Sequence, residues 1–248
     1  MHMTDDQLES RVVTVTGASR GIGRAIATAL ASQGFNVMLS GRSTEMLSSV
    51  THQIATTVGS EKQSGRIESY SADVREPRQM EDLMARTVDT FGRLDILINN
   101  AGVGHFQELA KLSIEDWNKV IETNLSGVFF ACRAAIPLLK ASRGGWIINI
   151  SSLAGSHPFS GGAAYCASKA GLDAVSEVLM QELRYDNIRV SCVAPGSVDT
   201  RFSGNDESSS ITRKLDPRDV AQVVVDLLGH QPRSLPSRVE IRPSQPRK

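Results

Sequence analysis

Charge of either sign is not in excess in this sequence. Among 248 residues, Lys plus Arg and Asp plus Glu each number 27, so there is no net field to draw in nucleic acid or an anionic membrane. Cysteine is scarce. The three present, Cys132, Cys166 and Cys192, are too few and too scattered for a disulfide framework or a metal cluster, which points to a reducing, cytoplasmic setting and no metal. Long apolar runs are missing as well: residues 127–139 are interrupted by Arg133 and contain Pro137, short of the roughly 20 residues a membrane span needs. The N-terminus, M-H-M-T-D-D-Q-L-E-S, lacks the basic and apolar regions of a signal peptide. There is no internal repeat and no interdomain linker. What remains, 40% hydrophobic and 22% charged residues, describes a soluble chain with one large core, expected to form a single domain over residues 1–248.

Short apolar runs alternate with helical stretches along the whole length. Strands are predicted at residues 12–16, 37–40, 66–71, 96–98, 146–150, 189–193 and 238–241, and helices at 24–33, 44–58, 77–91, 114–140, 163–185 and 217–229. This order implies an α/β fold, a Rossmann-type doubly wound parallel sheet of about seven strands with helices on both faces. The run G-N-D-E-S-S-S at 204–210 reads as a mobile loop.

The first strand leads into Thr16-Gly17-Ala18-Ser19-Arg20-Gly21-Ile22-Gly23 and then a helix. Glycines allow a tight turn and close backbone approach, and a helix N-terminus offers unpaired N–H groups to a pyrophosphate. The spacing is G-x-x-x-G-x-G. An enzyme preferring NAD places a carboxylate about 20 residues past the glycines for the ribose 2′-hydroxyl, whereas a 2′-phosphate calls for arginine. Here the second strand ends in Ser40-Gly41-Arg42-Ser43. With no carboxylate, and with Arg42 and Arg20 able to clamp a 2′-phosphate from two sides, the cofactor expected is NADP(H).

Residues 145–171 pass from an apolar strand through a Gly/Ser-rich loop into a helix carrying Tyr165 and, four residues on, Lys169. Positions i and i+4 share a helix face, so the lysine is expected to stabilise the phenolate and lower its pKa from about 10. Ser151 and Ser152 end the strand, where a hydroxyl can bond an oxygen between strand and helix. A Tyr-x-x-x-Lys pair on its own is commonplace on solvated helices.

Taken together, these features resemble the short-chain dehydrogenase/reductase family over nearly the whole chain. The T-G-x-x-x-G-I-G loop is joined by Asn99-Asn100-Ala101-Gly102, Asn124, Ser152, Tyr165, Lys169 and Pro195-Gly196 in order. Each motif is weak alone, and the set is specific. The family's serine lies 13 residues before the tyrosine, selecting Ser152 over Ser151. The resemblance implies that Tyr165 protonates a carbonyl oxygen, Ser152 polarises it, Lys169 lowers the Tyr165 pKa and binds the nicotinamide ribose, and Asn124 holds a relay water. It implies cofactor contacts from Gly17, Ser19, Arg20, Gly21, Ile22, Gly23, Arg42, Asp73, Val74, Asn100, Ala101, Gly102, Pro195, Gly196, Val198 and Thr200 besides Tyr165 and Lys169. The expected activity is NADPH-dependent reduction of a ketone or aldehyde, by a homotetramer or homodimer acting on a small molecule.

His105 and His157 fall on loops near this site, at most lining it, and Cys166 reads as packed helix. The last strand, Ser237-Arg238-Val239-Glu240-Ile241, lacks the glycine pair many relatives carry. The loop after Pro195-Gly196 has only Phe202 and Ile211 as large apolar residues. Relatives that reduce 3-oxoacyl groups on acyl carrier protein use two basic positions by the site entrance. Arg143 matches one, and Asp186 stands at the other, where a carboxylate repels an acidic carrier. Carrier-linked reduction, or cofactor sensing without turnover, are the alternatives.

Overall fold

The computed structural model describes residues 11–58, 65–200 and 214–245. Seven parallel strands form one sheet in the order β3-β2-β1-β4-β5-β6-β7: β1 Val12–Val15, β2 Asn36–Gly41, β3 Ile67–Ser71, β4 Ile96–Asn99, β5 Gly145–Ile150, β6 Ile188–Pro195 and β7 Arg238–Ile241. The helices are α1 Gly21–Ser32, α2 Thr44–Val58, α3 Pro77–Phe91, α4 Ile114–Ile121, α5 Gly127–Ala141, α6 Ala163–Leu183 and α7 Pro217–Leu228. The doubly wound α/β expectation is met, element by element.

Strand side chains alternate between two faces, and each face has its own core. Val13, Val15, Ile96, Ile98, Trp146 and Ile148 pack with α1, α2 and α7, whereas Leu97, Ile147 and Val190 pack with α3, α5 and α6. The strands are buried on both sides, which is why they read as continuous apolar runs. Several polar positions in this core pair with one another. Thr14 meets Thr87 of α3 at 3.0 Å, and Asn99 Nδ2 donates to Asn149 Oδ1 at 2.8 Å while Asn149 Nδ2 donates to Ser176 Oγ of α6 at 2.9 Å. Three elements are thereby fixed together directly beneath the carboxyl ends of β4 and β5.

Most boundaries agree with the sequence reading to within two residues, and two elements differ by more. Helix α1 starts at Gly21, so Gly21 and Gly23 lie in its first turn and not in a loop that ends at Gly23. The expected helix over 114–140 is two helices joined by a π turn, Glu122–Ser126, that holds Asn124. A widened turn of this kind costs hydrogen-bond geometry and recurs at functional sites. Here the buried Asn124 side chain offsets that cost with three hydrogen bonds: it accepts from Val103 N at 2.8 Å and donates to Val103 O at 2.9 Å and Ser168 Oγ at 3.0 Å. The expected loop at 204–210, with Phe202 and Ile211, lies outside the described residues. Among the described residues no helix is long and apolar enough to cross a membrane.

Asn149→Leu should cost about 2–4 kcal/mol, since it strips Asn99 and Ser176 of a buried partner at about 1–3 kcal/mol each. Urea denaturation followed by circular dichroism measures this, and a loss below about 1 kcal/mol would show that the pair does not brace β4, β5 and α6.

Candidate active site

The strand order reverses direction between β1 and β4, and the crevice outside the carboxyl ends of these strands is where open α/β sheets bind ligands. The glycine loop sits there. Gly17 has φ +64°, and a Cβ on it would lie 2.7 Å from Ala101 Cα; a Cβ on Gly23 would lie 2.5 Å from Gly17 O. Asn100 locks this arrangement by donating from Nδ2 to the carbonyls of Thr16 and Gly17, both at 3.0 Å, while Thr16 Oγ1 accepts from the N–H groups of Asn100 and Ala101, both at 3.1 Å. The N-terminus of α1 has no side-chain cap and no acidic residue in its first turn, so its donors and its dipole face the crevice uncompensated. Arg20 and Arg42 are exposed, and among the described residues neither is in an ion pair. Ser40 Oγ, just before the Gly41-Arg42 turn, is buried with no partner. A glycine-lined cradle, an uncapped helix end and two exposed guanidinium groups outside any ion pair among the described residues fit a dinucleotide with an extra phosphate.

The remaining expected contacts surround this cradle. Thr200 stands over Gly21, where a Cβ would lie 3.2 Å from its Cγ2. Ser19 borders Gly41, and Ile22 is packed against the core face under α1. Asp73 is held by Arg75 at 2.7 Å, whose hydrogen bonds keep this carboxyl below its usual range against the opposing effect of burial. Val74 packs against Gly127 at the start of α5. Pro195 ends β6, Gly196 bonds back to Ile241 O at 2.8 Å, and Val198 bridges Leu215. Gly102 connects this ring to the catalytic group, since a Cβ there would lie 3.4 Å from Asn124 Oδ1 and 3.9 Å from Lys169 Nζ.

Ser152, Tyr165, Lys169 and Asn124 come together. The Ser152 hydroxyl hydrogen-bonds the Tyr165 phenol and accepts from Ala154 N at 3.2 Å. Lys169 Nζ lies 5.9 Å from the centroid of the Tyr165 ring and donates to Ile150 O at 2.9 Å. The expected direction of the phenol's pKa is corrected. Burial pushes Tyr165 up, with the Ser152 hydrogen bond pulling the other way, and the same burial brings Lys169 down to about 8 against the weaker, raising influence of Cys192 and Asp173. Sequence spacing places the cation but says nothing of the water removed from both groups.

Ser151 has a different role from its neighbour. It donates to Asp173 Oδ1, which also takes the Cys192 thiol at 3.2 Å, while Asp173 Oδ2 takes Arg238 at 2.8 Å. Arg238 in turn donates to Ser156 Oγ at 2.7 Å. This brace ties β7 to the loop after β5, and it was not read from the sequence, although Asp173 follows Lys169 at the spacing that separates Lys169 from Tyr165. His105 faces Asp116 at 3.5 Å, and His157 is exposed on the loop. Arg143 and Asp186 are not at the entrance of this chain's crevice. They precede β5 and β6, at the opposite edge of the sheet from Ser152, and Lys140 pairs with Asp186 at 2.8 Å.

Burial of Lys169 gives stability a definite pH dependence. Its folded value of about 8 lies below the ordinary 10.5, so between the two the unfolded chain binds more protons and the folded protein gains stability as pH rises. Below about pH 8 the full penalty, about 3 kcal/mol, is present. Lys169→Met should therefore raise Tm relative to wild type most at pH 7, with the gap narrowing towards pH 10. A gap that is constant in calorimetry from pH 7 to 10 would contradict a desolvated ammonium.

Comparison with known proteins agrees with this geometry. A family profile described as short chain dehydrogenase matches residues 11–210. An uncharacterised oxidoreductase of Staphylococcus saprophyticus is 33% identical over 96% of this chain and 99% of its own length. Among solved structures, a metagenomic short-chain oxidoreductase in complex with NADP is 37% identical, with a TM-score of 0.82 over 96% of this chain and 99% of its own. An alcohol dehydrogenase from Thermococcus sibiricus complexed with 5-hydroxy-NADP is 29% identical, with a TM-score of 0.88 over 96% and 98%. With the glycine cradle, the Ser-Tyr-Lys constellation and the strand order all in place, the chain belongs to the short-chain dehydrogenase family.

Proposed function

We propose that this protein is an NADPH-dependent carbonyl reductase acting on a ketone or aldehyde of modest size. The observation that carries the reading is the Ser152 hydroxyl bonded to the Tyr165 phenol, with the buried Lys169 below the ring and the glycine cradle alongside. NADPH supplies the hydride when bound. Gly17 to Gly23 would hold its pyrophosphate, Arg20 and Arg42 its 2′-phosphate, Asp73 and Val74 its adenine, and Thr200 with the Pro195-Gly196 turn its carboxamide end. NADP-bound relatives support this cofactor.

In this reading Tyr165 donates its proton to the carbonyl oxygen and Ser152 donates a hydrogen bond to the same atom. Tyr165 carries its proton at neutral pH as any phenol does, and the upward push of burial makes it a weaker acid that relies on its position against the carbonyl. Ala154 N–H occupies an acceptor position on Ser152, so the hydroxyl proton now shared with the Tyr165 phenol is the one that would turn to the substrate oxygen. The Asn124 amide is committed to Val103 and Ser168, so a water ordered by Asn124 would be held through its main chain. Carrier-linked substrates gain no support from Arg143, which lies at the far edge of the sheet. A cofactor sensor would have no use for a lysine buried at this cost. Exposed Phe129 of α5 and Val178 of α6, each 52% accessible, are apolar surface that a homotetramer or homodimer would cover.

Tyr165→Phe should lower kcat/KM with NADPH and an activated ketone by about 10²–10⁴ while leaving NADPH binding intact; a loss under tenfold would overturn the assignment. Arg42→Ala should weaken NADPH binding by about 10- to 100-fold and leave NADH nearly unchanged, since one charge-assisted hydrogen bond is worth about 1.5–3 kcal/mol. Gly41→Asp with Arg42→Ala should reverse the preference. A Cβ on Gly41 meets nothing closer than 3.6 Å, so a side chain can start there without a clash. Equal weakening of both cofactors, measured by fluorescence titration, would show that Arg42 does not read the 2′-phosphate.

A further inference from the structure

Two aromatic rings at the crevice have no part in the acid catalysis or the cofactor cradle. Phe106, in the loop after β4, stands edge-on to Tyr165 with centroids 5.6 Å apart and an interplanar angle of 84°. Phe159, in the loop after β5, lies 5.6 Å from Phe106 at 57°. Both are half-exposed, at 43% and 48%, and being adjacent they make an apolar patch beside the catalytic phenol. The two loops are joined, because Gln107 N–H donates to Gly161 O at 2.8 Å. The rings are thus presented together at a set separation. Nearby polar groups are committed to each other: His105 faces Asp116 at 3.5 Å and Lys111 pairs with Glu108 at 2.6 Å.

We propose that Phe106 and Phe159 form an aryl subsite, and that the substrate is an aryl ketone or aryl aldehyde. The inference rests on the reductase reading and narrows it. A carbonyl oxygen bonded by Tyr165 and Ser152 sets its substituents just outside the phenol. A ring attached directly to the carbonyl carbon then comes within the 4.5–7 Å at which aromatic pairs attract. Phe106 already presents its edge geometry to Tyr165, and the incoming ring would add a third member to the Tyr165-Phe106-Phe159 cluster. The aryl carbonyl gains a hydride at carbon from NADPH and the Tyr165 proton at oxygen, giving a benzylic alcohol and NADP⁺. A saturated chain would gain only the burial of its area, and an acid or phosphate would meet rings where it needs a cation.

The test compares kcat/KM, with NADPH, for acetophenone, cyclohexyl methyl ketone and butanone. Conjugation makes acetophenone the least electrophilic of the three, so a preference for it reports the site. Wild type should favour acetophenone over its saturated counterpart by about 5- to 10-fold. Phe106→Leu and Phe159→Leu, which keep apolar bulk without a ring, should remove that advantage while butanone changes by less than about threefold. Equal kcat/KM for the two ring ketones in wild type, or equal losses for butanone and acetophenone in the variants, would overturn the aryl subsite and leave the reductase reading standing. Failure to turn over any of the three, with NADPH binding intact, would overturn the reductase reading itself.

Discussion

The site depends on how closely the ends of β1 and β4 approach each other. The Asn100 amide, donating to the carbonyls of Thr16 and Gly17, and the Thr16 hydroxyl, accepting from Asn100 and Ala101, draw two loops to a distance at which a single added methyl at Gly17 would meet Ala101 backbone. A parallel sheet places all its carboxyl ends on one edge, but that alone leaves an open cleft. The Asn100 clamp turns the cleft into a cradle, sets where α1 begins and hence where its dipole points, and brings Gly102 against Asn124 and Lys169. The cofactor half of the site and the acid half share this one junction.

Burial does the second part of the work, and it acts on two groups in opposite senses. Water excluded around Tyr165 and Lys169 favours the neutral form of each, raising the phenol and lowering the ammonium. From ordinary values of 10.0 and 10.5 the two move apart, so the proton is held on the phenol in preference to the lysine. Beneath them, Asp173 collects Ser151, Cys192 and Arg238. Its carboxylate is partly shielded and supported by a guanidinium from β7, so the last strand stabilises the floor of the site as well as the edge of the sheet.

The sequence was most informative where chemistry and spacing coincide. The seven strands, the glycine loop and the sharing of one helix face by Tyr165 and Lys169 follow from runs and intervals that permit few arrangements, whereas the choice of Ser152 over Ser151 came from the family resemblance. It was least informative where the third dimension decides. Arg143 and Asp186 look like a pair of entrance residues by position, yet both lead into parallel strands and therefore sit at the opposite edge from the carboxyl ends. The pKa of Tyr165 was misjudged in direction because i, i+4 spacing reports a neighbour's charge and not the loss of water. Phe106 and Phe159 lie 53 residues apart in irregular loops, where no periodicity marks a side chain as belonging to a site. The break in the 114–140 helix was invisible for a related reason: a π turn changes the hydrogen-bond ladder by one residue without requiring glycine or proline at the spot.

That extra residue has a further effect, on phase. Each residue of an α-helix turns about 100°, so the inserted position rotates everything in α5 relative to α4 by nearly a third of a turn. The buried stripe of α5, with Val128, Ala131, Cys132, Ala135 and Leu139, faces the sheet while Phe129 points outward at 52% accessibility. In an unbroken helix Val120, the buried residue of α4, would lie about 20° from Ala131 and about 80° from Val128, so the turn moves the centre of this stripe round the helix without creating it. The π turn therefore acts as a gear between two helical segments: the same residue that lets Asn124 reach Val103 and Ser168 also decides which side chains of α5 the protein shows to its surroundings.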